Sequence, residues 1–524
     1  MTVIHSVALC LFVSMCVSVG ESHRILAVFP VNVKSHNIMF DALMKGLVKR
    51  GHVVDTITQY PLKNPPPNYK VVVDLSGTSP NTVNNFSMAF VNQFLKTGGT
   101  HSLAHVLGNT VCNLLGLEVM QTFIRNLSKD VTHYDLVLTE AFAAHCYMGF
   151  GHLLKVPVVA VSSAIEYPWI TNFIGNNDNP SFVPGPDLFV FKDLNFWQRL
   201  QNIYYYYADN YRFNSITEKV QTDLMRKYLS PDIPSVREIE KSVALLLVNS
   251  HPVIFGVKPV TPGLVQVGGL HIEEKDESKL SLELKKWLDE STDGVIYFSF
   301  GSMVLIETLP VDTLKSMYET FSKLAPVRVL MRIANEKKLP PGLPSNVLIK
   351  QWIPQQDVLA HPNIKVFVTH GGLMGTQEAL YHGVPMVGIP LFSDQPRNVA
   401  SFVDKNMAIM LGLDDLKTDI FSKALNAILT DPKYRENAKY YSKLFKDRPM
   451  SAMDTAIFWI EYVIRNGPNT LKSPALKLSW WQLTLVDIFG FILLNLIFGC
   501  LCIFYVLKLL LQKSKSASDK VKKQ

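Results

Sequence analysis

The sequence predicts an α/β protein made of two doubly wound, Rossmann-like domains followed by one transmembrane helix. A chain of 524 residues is too long for a single hydrophobic core, which favours two domains. Short β-branched runs alternate with amphipathic helical stretches, as they do in the βα units of parallel sheets. An apolar run near the carboxyl end, 488–507, is long enough as a helix to cross about 30 Å of hydrocarbon.

The predicted strands form two groups around a segment rich in proline and glycine, 249–263, near which we expect a hinge. Ligands of such folds bind at the carboxyl ends of the strands, so we expect a cleft between the domains. The regions 88–121 and 195–226 look helical, and the second is rich in aromatic residues. It could wall an apolar pocket, lie against a membrane or pack within the fold. The predicted strands are 24–29, 52–56, 71–75, 136–139, 156–161, 244–248, 294–300, 327–332, 347–351, 366–369 and 384–389.

Both ends carry targeting signals. Residues 6–19 are apolar and are followed by small residues at Ser18-Val19-Gly20, which predicts a signal peptide at 1–20; a retained anchor is the alternative, since no Lys or Arg precedes the run. The predicted organisation is a signal peptide at 1–20, an amino-terminal domain at 21–272, a carboxyl-terminal domain at 273–448, a returning helix and juxtamembrane segment at 449–484, a transmembrane helix at 485–508 and a basic tail at 509–524.

The transmembrane prediction depends on how apolar the span is. Asn495 is its one clearly polar residue, and Trp480 and Trp481 precede it as interface anchors. A buried core helix is the alternative, but the run lacks an amphipathic stripe. The lysines that follow the span predict a cytosolic tail and therefore a single-pass type I protein with a lumenal body.

The net charge excludes one class of partner. Six lysines at and after the end of the span, offset by Asp519, account for +5 of the formal net charge of +7. The rest of the chain has no basic surface of the kind that binds nucleic acid. Lys520 and Lys522 resemble a dilysine retrieval signal of endoplasmic reticulum membrane proteins, although a tail that merely contacts anionic lipid is the alternative.

Cysteines and sequons agree with a lumenal body. Cys112 and Cys146 are the two cysteines between the signal peptide and the span; a bridge between them is possible, but their spacing does not establish it. Asn85 and Asn126 begin Asn-X-Ser sequons, which are predicted glycosylation sites in the lumen. Chance sequons are frequent, so either one could be unused.

The most informative segment runs from Trp352 to Gln395. The strand that it contains leads into His370-Gly371-Gly372 and then into a helix. Glycines at a strand-to-helix turn let backbone N–H groups approach a phosphate, and the helix N-terminus adds favourable partial charge. This pattern predicts an anion site at the turn.

The segment WIPQQDVLAHPNIKVFVTHGGLMGTQEALYHGVPMVGIPLFSDQ resembles the donor-binding signature of the UDP-glycosyltransferase family with the GT-B fold. The resemblance extends to the family's layout of signal, two domains, anchor and basic tail, and it is strongest to membrane-bound animal members, especially those of insects. It implies an amino-terminal domain that binds the acceptor and a carboxyl-terminal domain that binds the UDP-sugar. The implied reaction is inverting transfer of a hexose, with glucose favoured over glucuronic acid, to a hydroxyl of a small lipophilic acceptor, as in detoxification or conjugation.

The resemblance also assigns donor contacts. It implies that Trp352 stacks on uracil, a contact that a flat indole can make with any base. Polar side chains would pair with hydroxyl and phosphate groups, which discriminates strongly because a missing partner leaves a buried group unsatisfied. The implied contacts are Gln355 and Glu378 with the ribose, Ser302, His370, Gly371, Gly372 and Gly375 with the diphosphate, and Asp394 and Gln395 with hydroxyls of the transferred sugar.

One donor position departs from the family's pattern. Where most members have an Asn beside the phosphates, this chain has Met374. A side-chain donor is lost, so diphosphate binding would depend more on backbone N–H groups, His370 and Ser302. Weaker donor binding is therefore an expectation.

The predicted catalytic pair is His36 and Glu140. His36 follows the first strand in a predicted loop at the cleft, and the family's base is a histidine at this place. An imidazole suits the task because its ordinary pKa is near neutral pH. The family usually orients this base with an Asp, and Glu140 at the matching position is one methylene longer. Asp135, at the other end of that strand, is predicted to be structural.

The sequence also bears on metal cofactors, on two competing functions and on oligomeric state. No clustered metal ligands or DxD pair appear in the sequence, so no metal cofactor is expected and the helix end and His370 would meet the leaving-group charge. A nicotinamide oxidoreductase is disfavoured because the nearest glycine motif, 149–154, lacks its third glycine. A non-catalytic membrane protein that retains UDP-sugar binding stays open because of Met374 and Glu140. A homo- or hetero-oligomer in the membrane is also possible.

Overall fold

Two parallel β-sheets organise the chain, as the alternating pattern predicts. The computed structural model describes residues 21–79, 86–91, 99–127, 133–191, 193–272 and 279–521. The first sheet contains β1 (Arg24–Phe29), β2 (Val53–Thr58), β3 (Tyr69–Asp74), β4 (Leu136–Glu140), β5 (Val158–Ser162), β6 (Leu245–Val248) and β7 (Leu264–Gln266), and the second contains β8 (Val295–Ser299), β9 (Arg328–Arg332), β10 (Val347–Lys350), β11 (Ile364–Thr369), β12 (Met386–Gly388) and β13 (Ala408–Met410).

Both sheets are doubly wound. The strand order is β3-β2-β1-β4-β5-β6-β7 in the first and β10-β9-β8-β11-β12-β13 in the second, and every neighbouring pair is parallel. Every residue of the central strands β4, β5 and β8 is buried, because helices cover both faces of the sheets. The fold class predicted from the sequence is therefore confirmed.

Helices cover the sheets. Those of the first half are α1 (Lys34–Arg50), α2 (Glu118–Leu127), α3 (Gly149–Leu154), α4 (Phe196–Tyr228) and α5 (Val236–Ser242); those of the second half are α6 (Leu282–Asp289), α7 (Val311–Lys323), α8 (Gln355–Leu359), α9 (Leu373–Tyr381), α10 (Gln395–Asp404), α11 (Asp419–Thr430) and α12 (Pro432–Lys446), and α13 (Ala452–Asn466) follows. Further helical segments lie at Thr100–Ser102, Leu103–Asn109, Thr110–Cys112, Asn113–Gly116, His145–Met148, Pro168–Thr171, Asn172–Ile174, Pro252–Phe255, Ile306–Thr308, Glu336–Lys338, Leu413–Lys417, Pro474–Lys477 and Trp480–Leu483.

The chain crosses between the halves more than once. The segment 249–263 precedes β7, which still pairs with β6, so the chain passes from the first sheet to the second downstream of this segment. Helix α13 returns to the first half, where Ile457, Ile460 and Val463 join the core beneath α1. Residues of the first half also enter the second half: Phe86 forms a parallel bridge with Val304, and Met88 is buried in the core of the second half.

The aromatic helix α4 packs within the fold, which is one of the three roles that its sequence allows. It begins with a capping box in which Asn195 and Gln198 satisfy each other's backbone N–H groups. Phe213 is fully buried and packs within the fold, whereas Trp197 and Tyr204 on the outer face are 72% and 60% exposed. No residue of α4 lines the cleft described below.

Cys112 and Cys146 form a disulfide, with their Cα atoms 6.1 Å apart. The bond joins the helical region after Gly99 to the turn that follows β4, and both residues are buried. The sequence left this pairing open, because cysteine spacing does not reveal which chain segments meet in space.

The carboxyl-terminal residues, Ser473–Gln524, form a second compact unit. Its main element is α14 (Val486–Val521), which is long and apolar enough over Val486–Lys515 to cross a membrane. The helix continues past the predicted end of the span at 508, because the residues that follow include no Gly or Pro up to Val521. The predicted signal peptide, 1–20, lies outside the described residues.

Candidate active site

The carboxyl ends of the two sheets open into a cleft of about 1180 Å³ that is lined by residues of both halves. Of the residues predicted for the site, Glu140 and Gly371 stand directly behind the lining. The others line the cleft itself: His36, Ser302, Trp352, Gln355, His370, Gly372, Gly375, Glu378, Asp394 and Gln395.

His36 and Glu140 form the pair that the sequence predicts. The Nδ1 atom of His36 lies 2.7 Å from Oε1 of Glu140, and the carboxylate is buried whereas the imidazole reaches the cleft. His36 is not in a loop as predicted; it is the third residue of α1, because the helix begins directly after the turn at Val33. With Nδ1 held by a carboxylate, Nε2 is the atom left to act as a base.

A residue that sequence reasoning missed supports this pair. Ser163, which follows β5, donates from Oγ to the same Oε1 of Glu140 at 3.3 Å. The other carboxylate oxygen, Oε2, is buried and meets no hydrogen-bond donor among the described residues. Ser163 thus fixes the longer side chain that stands where the family usually has Asp. No local sequence signal marks Ser163, because β4 and β5 are brought together by the sheet.

The glycine turn surrounds His370. The backbone of Gly371 has a φ of +83°, and a Cβ there would meet Cγ2 of Val399 at 2.4 Å, so both conformation and space require glycine. A Cβ on Gly372 would lie 2.8 Å from Nε2 of His370. The absence of a side chain at Gly372 lets the imidazole approach the turn at the N-terminus of α9, where the first N–H groups have no intrahelical acceptors.

Burial affects the charge of His370. Burial lowers the pKa of His370 to about 4, so the imidazole is uncharged at physiological pH. Its Nδ1 atom is buried without a hydrogen-bond partner among the described residues. His370 can therefore offer a hydrogen bond to an anion, whereas the favourable charge at this end of the cleft comes from the helix.

Glu378 is the centre of a polar cluster. It accepts hydrogen bonds from Nε2 of Gln355 at 2.6 Å and of Gln356 at 3.4 Å, and Nε2 of His271 lies 3.3 Å from its Oε1. Gln355 in turn accepts from the hydroxyl of Tyr297 at 3.0 Å. Sequence reasoning missed Gln356 and His271, the second of which comes from the segment that joins the two halves.

The indole of Trp352 is 59% exposed and faces the cleft, which suits a stacking surface better than a packing role. The ammonium of Lys34 lies 4.1 Å from the centre of its ring. Burial and then nearby Arg332 lower the pKa of Lys34. Lys34 is in the other half, two residues before His36, so no local sequence pattern indicates this contact.

The strand ends beside the glycine turn supply further polar groups. Ser302 follows β8 and lines the cleft, and the neighbouring Gly301 accepts a hydrogen bond from Arg332. The Nε atom of Arg332 is buried and unpartnered within the described part of the chain, and burial lowers its pKa. Met374 lies at the cleft and packs against the core of the first half.

The predicted sugar-binding pair begins α10. Asp394 accepts from Nδ2 of Asn398 at 2.8 Å, and burial raises its pKa. Gln395 uses its Oε1 to accept from the backbone N–H groups of Leu391 at 2.8 Å and Phe392 at 3.1 Å. The Oε1 atom of Gln395 thus holds the loop, and its Nε2 is the atom that can face a ligand.

The cleft is apolar on the side of the first half. Its walls there include Phe86, Phe90, Val106, Leu107 and Phe142, and this surface adjoins His36. An apolar pocket with a few polar groups at one end suits a small organic ligand that carries a hydroxyl. Within the described ranges no group of three or more His, Cys, Asp or Glu residues could hold a metal ion.

One of the two predicted glycosylation sites lies within the described residues. Asn126 lies on α2 and is exposed. Asn85 lies outside the described residues.

Comparisons with known proteins identify the family of the chain. The model of the family described as "UDP-glucoronosyl and UDP-glucosyl transferase" matches residues 25–524. UDP-glucosyltransferase 2 of Dactylopius coccus is 35% identical over 97% of this chain and 98% of its own length, and UDP-glucuronosyltransferase 2B13 of Oryctolagus cuniculus is 29% identical over 93% and 92%.

A solved UDP-glucosyltransferase from Polygonum tinctorium, capable of glucosylating indoxyl, has the same fold with a TM-score of 0.56 at 15% identity, covering 85% of this chain and 100% of its own. The chain therefore belongs to the family of UDP-glucuronosyl and UDP-glucosyl transferases and is a UDP-glycosyltransferase with the two-domain GT-B fold.

Proposed function

We propose that this enzyme transfers glucose from UDP-glucose to a hydroxyl of a small lipophilic acceptor with inversion at the anomeric carbon. The observation that carries the proposal is the pair of His36 and Glu140, which stands at the boundary between an apolar pocket and a polar strand-to-helix turn. An acceptor bound in the apolar part would present its hydroxyl to His36, and a donor at the turn would present its anomeric carbon.

Each step has a residue suited to it. Nε2 of His36 takes the proton of the acceptor hydroxyl, the oxygen attacks the anomeric carbon, and the bond to the diphosphate breaks. Glu140 stabilises the imidazolium that forms. Displacement from the face opposite the leaving group inverts the configuration. UDP leaves with its charge met by the N-terminus of α9, Ser302 and the neutral imidazole of His370.

Donor recognition follows the residues that the cleft gathers. Trp352 stacks on uracil, Glu378 and Gln355 bind the ribose, and Asp394 and Gln395 bind hydroxyls of the sugar. No side chain projects from the glycines at 371, 372 and 375, so backbone N–H groups of the turn can approach the diphosphate. Glucose is the favoured sugar because a relative that is 35% identical over 97% of this chain carries the name UDP-glucosyltransferase 2.

The cellular setting is proposed from the chain itself. The disulfide of Cys112 and Cys146 persists in an oxidising compartment, which supports a lumenal body. We place the enzyme in the endoplasmic reticulum membrane as a single-pass type I protein, with 1–20 as a cleaved signal peptide and Asn126 and Asn85 as glycosylation sites. The domain limits at 272, 448 and 484 belong to the same proposal, and detoxification is the role that fits a broad apolar pocket.

Turnover tests the proposal against its main rival, a protein that binds UDP-sugars without reaction. Full-length enzyme in microsomes or detergent is given several UDP-sugars and a panel of phenolic acceptors, and glycoside formation is measured by mass spectrometry. We expect product with UDP-glucose and a loss of at least 100-fold in the His36→Ala variant, with UDP binding retained. Binding of UDP without turnover of any acceptor would favour the non-catalytic alternative.

A further inference from the structure

A buried amide links the donor helix to the segments that support the base. Gln377 lies on α9 beside Glu378 and is fully buried. Its Nε2 donates to the backbone oxygen of Asn249 at 3.2 Å, and its Oε1 accepts from the backbone N–H of Gly269 at 3.1 Å. One side chain of the second half thus satisfies backbone groups of two separate segments that adjoin the first sheet.

The contacts continue from Asn249 to the catalytic pair. Asn249 directly follows β6, and its Nδ2 donates to the backbone oxygen of Ser163 at 3.0 Å. The hydroxyl of Ser163 bonds to Glu140, which bonds to His36. Asn249, Ser163 and Glu140 are all at most 3% exposed, so water does not compete for these bonds.

We propose that Gln377 is a positioning residue that sets the distance between the base at His36 and the donor bound along α9. This inference rests on the proposed function, in which acceptor and donor are held by different halves of the chain. Reaction between them requires the attacking oxygen and the anomeric carbon to approach to roughly 3–3.5 Å, and small misplacements lower the rate strongly. A buried amide that bonds to both supporting segments resists such misplacement because each lost bond would leave a buried backbone group unsatisfied.

The role predicts an effect on catalysis without a matching effect on donor affinity. Gln377 does not line the cleft, so removing its amide leaves the donor contacts in place. We expect Gln377→Met to lower kcat at saturating substrates by at least 10-fold while the Kd for UDP changes less than 3-fold. The pH profile of the remaining activity should keep its shape, because His36 still acts as the base.

A matched control separates positioning from general destabilisation. Gln221 is also fully buried, and its amide accepts from the N–H of Cys146 at 3.2 Å and donates to the oxygen of Ala143 at 2.8 Å. It lies within the first half, and its hydrogen-bond partners Cys146, Asn109 and Ala143 belong to neither α9 nor β6. Gln221→Met should lower the Tm as Gln377→Met does but leave kcat within about 2-fold of wild type.

The isosteric Gln377→Glu variant provides a second readout. When protonated, its carboxyl group can donate to Asn249 and accept from Gly269, as the amide does; when ionised, it places an oxygen against the carbonyl of Asn249. Burial raises the pKa of such a carboxyl group. The ratio of its kcat to that of wild type should therefore rise as pH falls from 8 to 6, and the wild-type reference cancels the titration of nearby Glu378 and His271.

Gln377→Met and Gln377→Glu each test the positioning role of Gln377 separately, so one variant suffices if the other folds poorly. A kcat for Gln377→Met within 2-fold of wild type would overturn the inference, as would a Gln377→Glu ratio that does not change with pH. Either result would leave the proposed function standing, provided that wild type turns over and His36→Ala does not. Absence of turnover in wild type would instead contradict the proposed function.

Discussion

The pairing of Glu140 with His36 makes a quantitative prediction for the isosteric variant Glu140→Gln. When His36 takes the acceptor proton, a positive charge appears on a ring whose Nδ1 lies 2.7 Å from the carboxylate. Two unit charges with centres about 4 Å apart attract by about 4 kcal/mol at an effective dielectric constant of about 20. The Gln carbonyl would retain part of this, so we expect the transition state to lose about 2–3 kcal/mol, which is about 30- to 150-fold in kcat.

The assay is steady-state glycoside formation at saturating UDP-sugar and acceptor, together with the Kd for UDP. Glu140 does not line the cleft, so the Kd should be unchanged. Asp135→Asn is the matched control, because Asp135 lies just before β4 at its opposite end and accepts from the backbone N–H of Arg24 at 2.8 Å. Its kcat should stay within about 2-fold of wild type. If Glu140→Gln kept kcat within 3-fold, the carboxylate would not stabilise the imidazolium and the reasoning would be refuted.

Three further perturbations test the donor side and the stability of the fold. Trp352→Ala should raise the Kd for UDP by about 10-fold in calorimetry, since base stacking contributes roughly 1–3 kcal/mol, and an unchanged Kd would exclude stacking there. Met374→Asn should tighten UDP binding by about 3- to 10-fold through a new hydrogen bond to the diphosphate. The same change should lower the Tm, because Met374 packs against apolar core residues. An unchanged affinity for UDP would contradict the position of Met374 beside the phosphates. Burial raises the pKa of Asp41 to about 6, so the folded state holds this proton more tightly than the unfolded state and stability falls as pH rises from 4 to 6. Asp41→Asn should therefore raise the Tm at pH 7.5 and leave it nearly unchanged at pH 4. A lower Tm of the variant at pH 7.5 would refute this.

The central strands of both sheets could be predicted because short apolar, β-branched runs in the sequence mark them. The strand predicted at 24–29 matches β1 at both ends, and the buried strands β4, β5 and β8 were found within two residues at each end. β7 and β13, which have three residues each, were missed, whereas the equally short β12 lies within the predicted strand 384–389. The start of α1 was also missed, because Val33 offers no capping side chain to mark it.

The candidate site likewise contains residues that the sequence predicts and residues that only the fold brings together. The turn at His370 is contiguous in sequence, so its glycines and the helix that follows can be recognised from residue order alone. Ser163 and His271 reach the site, and Gln377 meets Asn249, only through pairing of distant strands and contact between the halves, and no local pattern encodes such neighbours. The neutral state of His370 likewise depends on burial, which the sequence does not show.

One measurement tests the central claim most directly. Purified full-length protein is incubated with UDP-glucose labelled with ¹³C in the sugar and with a phenolic acceptor, and the product is analysed by NMR and mass spectrometry. Since the donor is α-linked, an inverting enzyme with His36 as its base yields a β-glucoside that carries the full label, and His36→Ala yields almost none. An α-glucoside, or equal product from His36→Ala, would contradict the mechanism derived from this cleft.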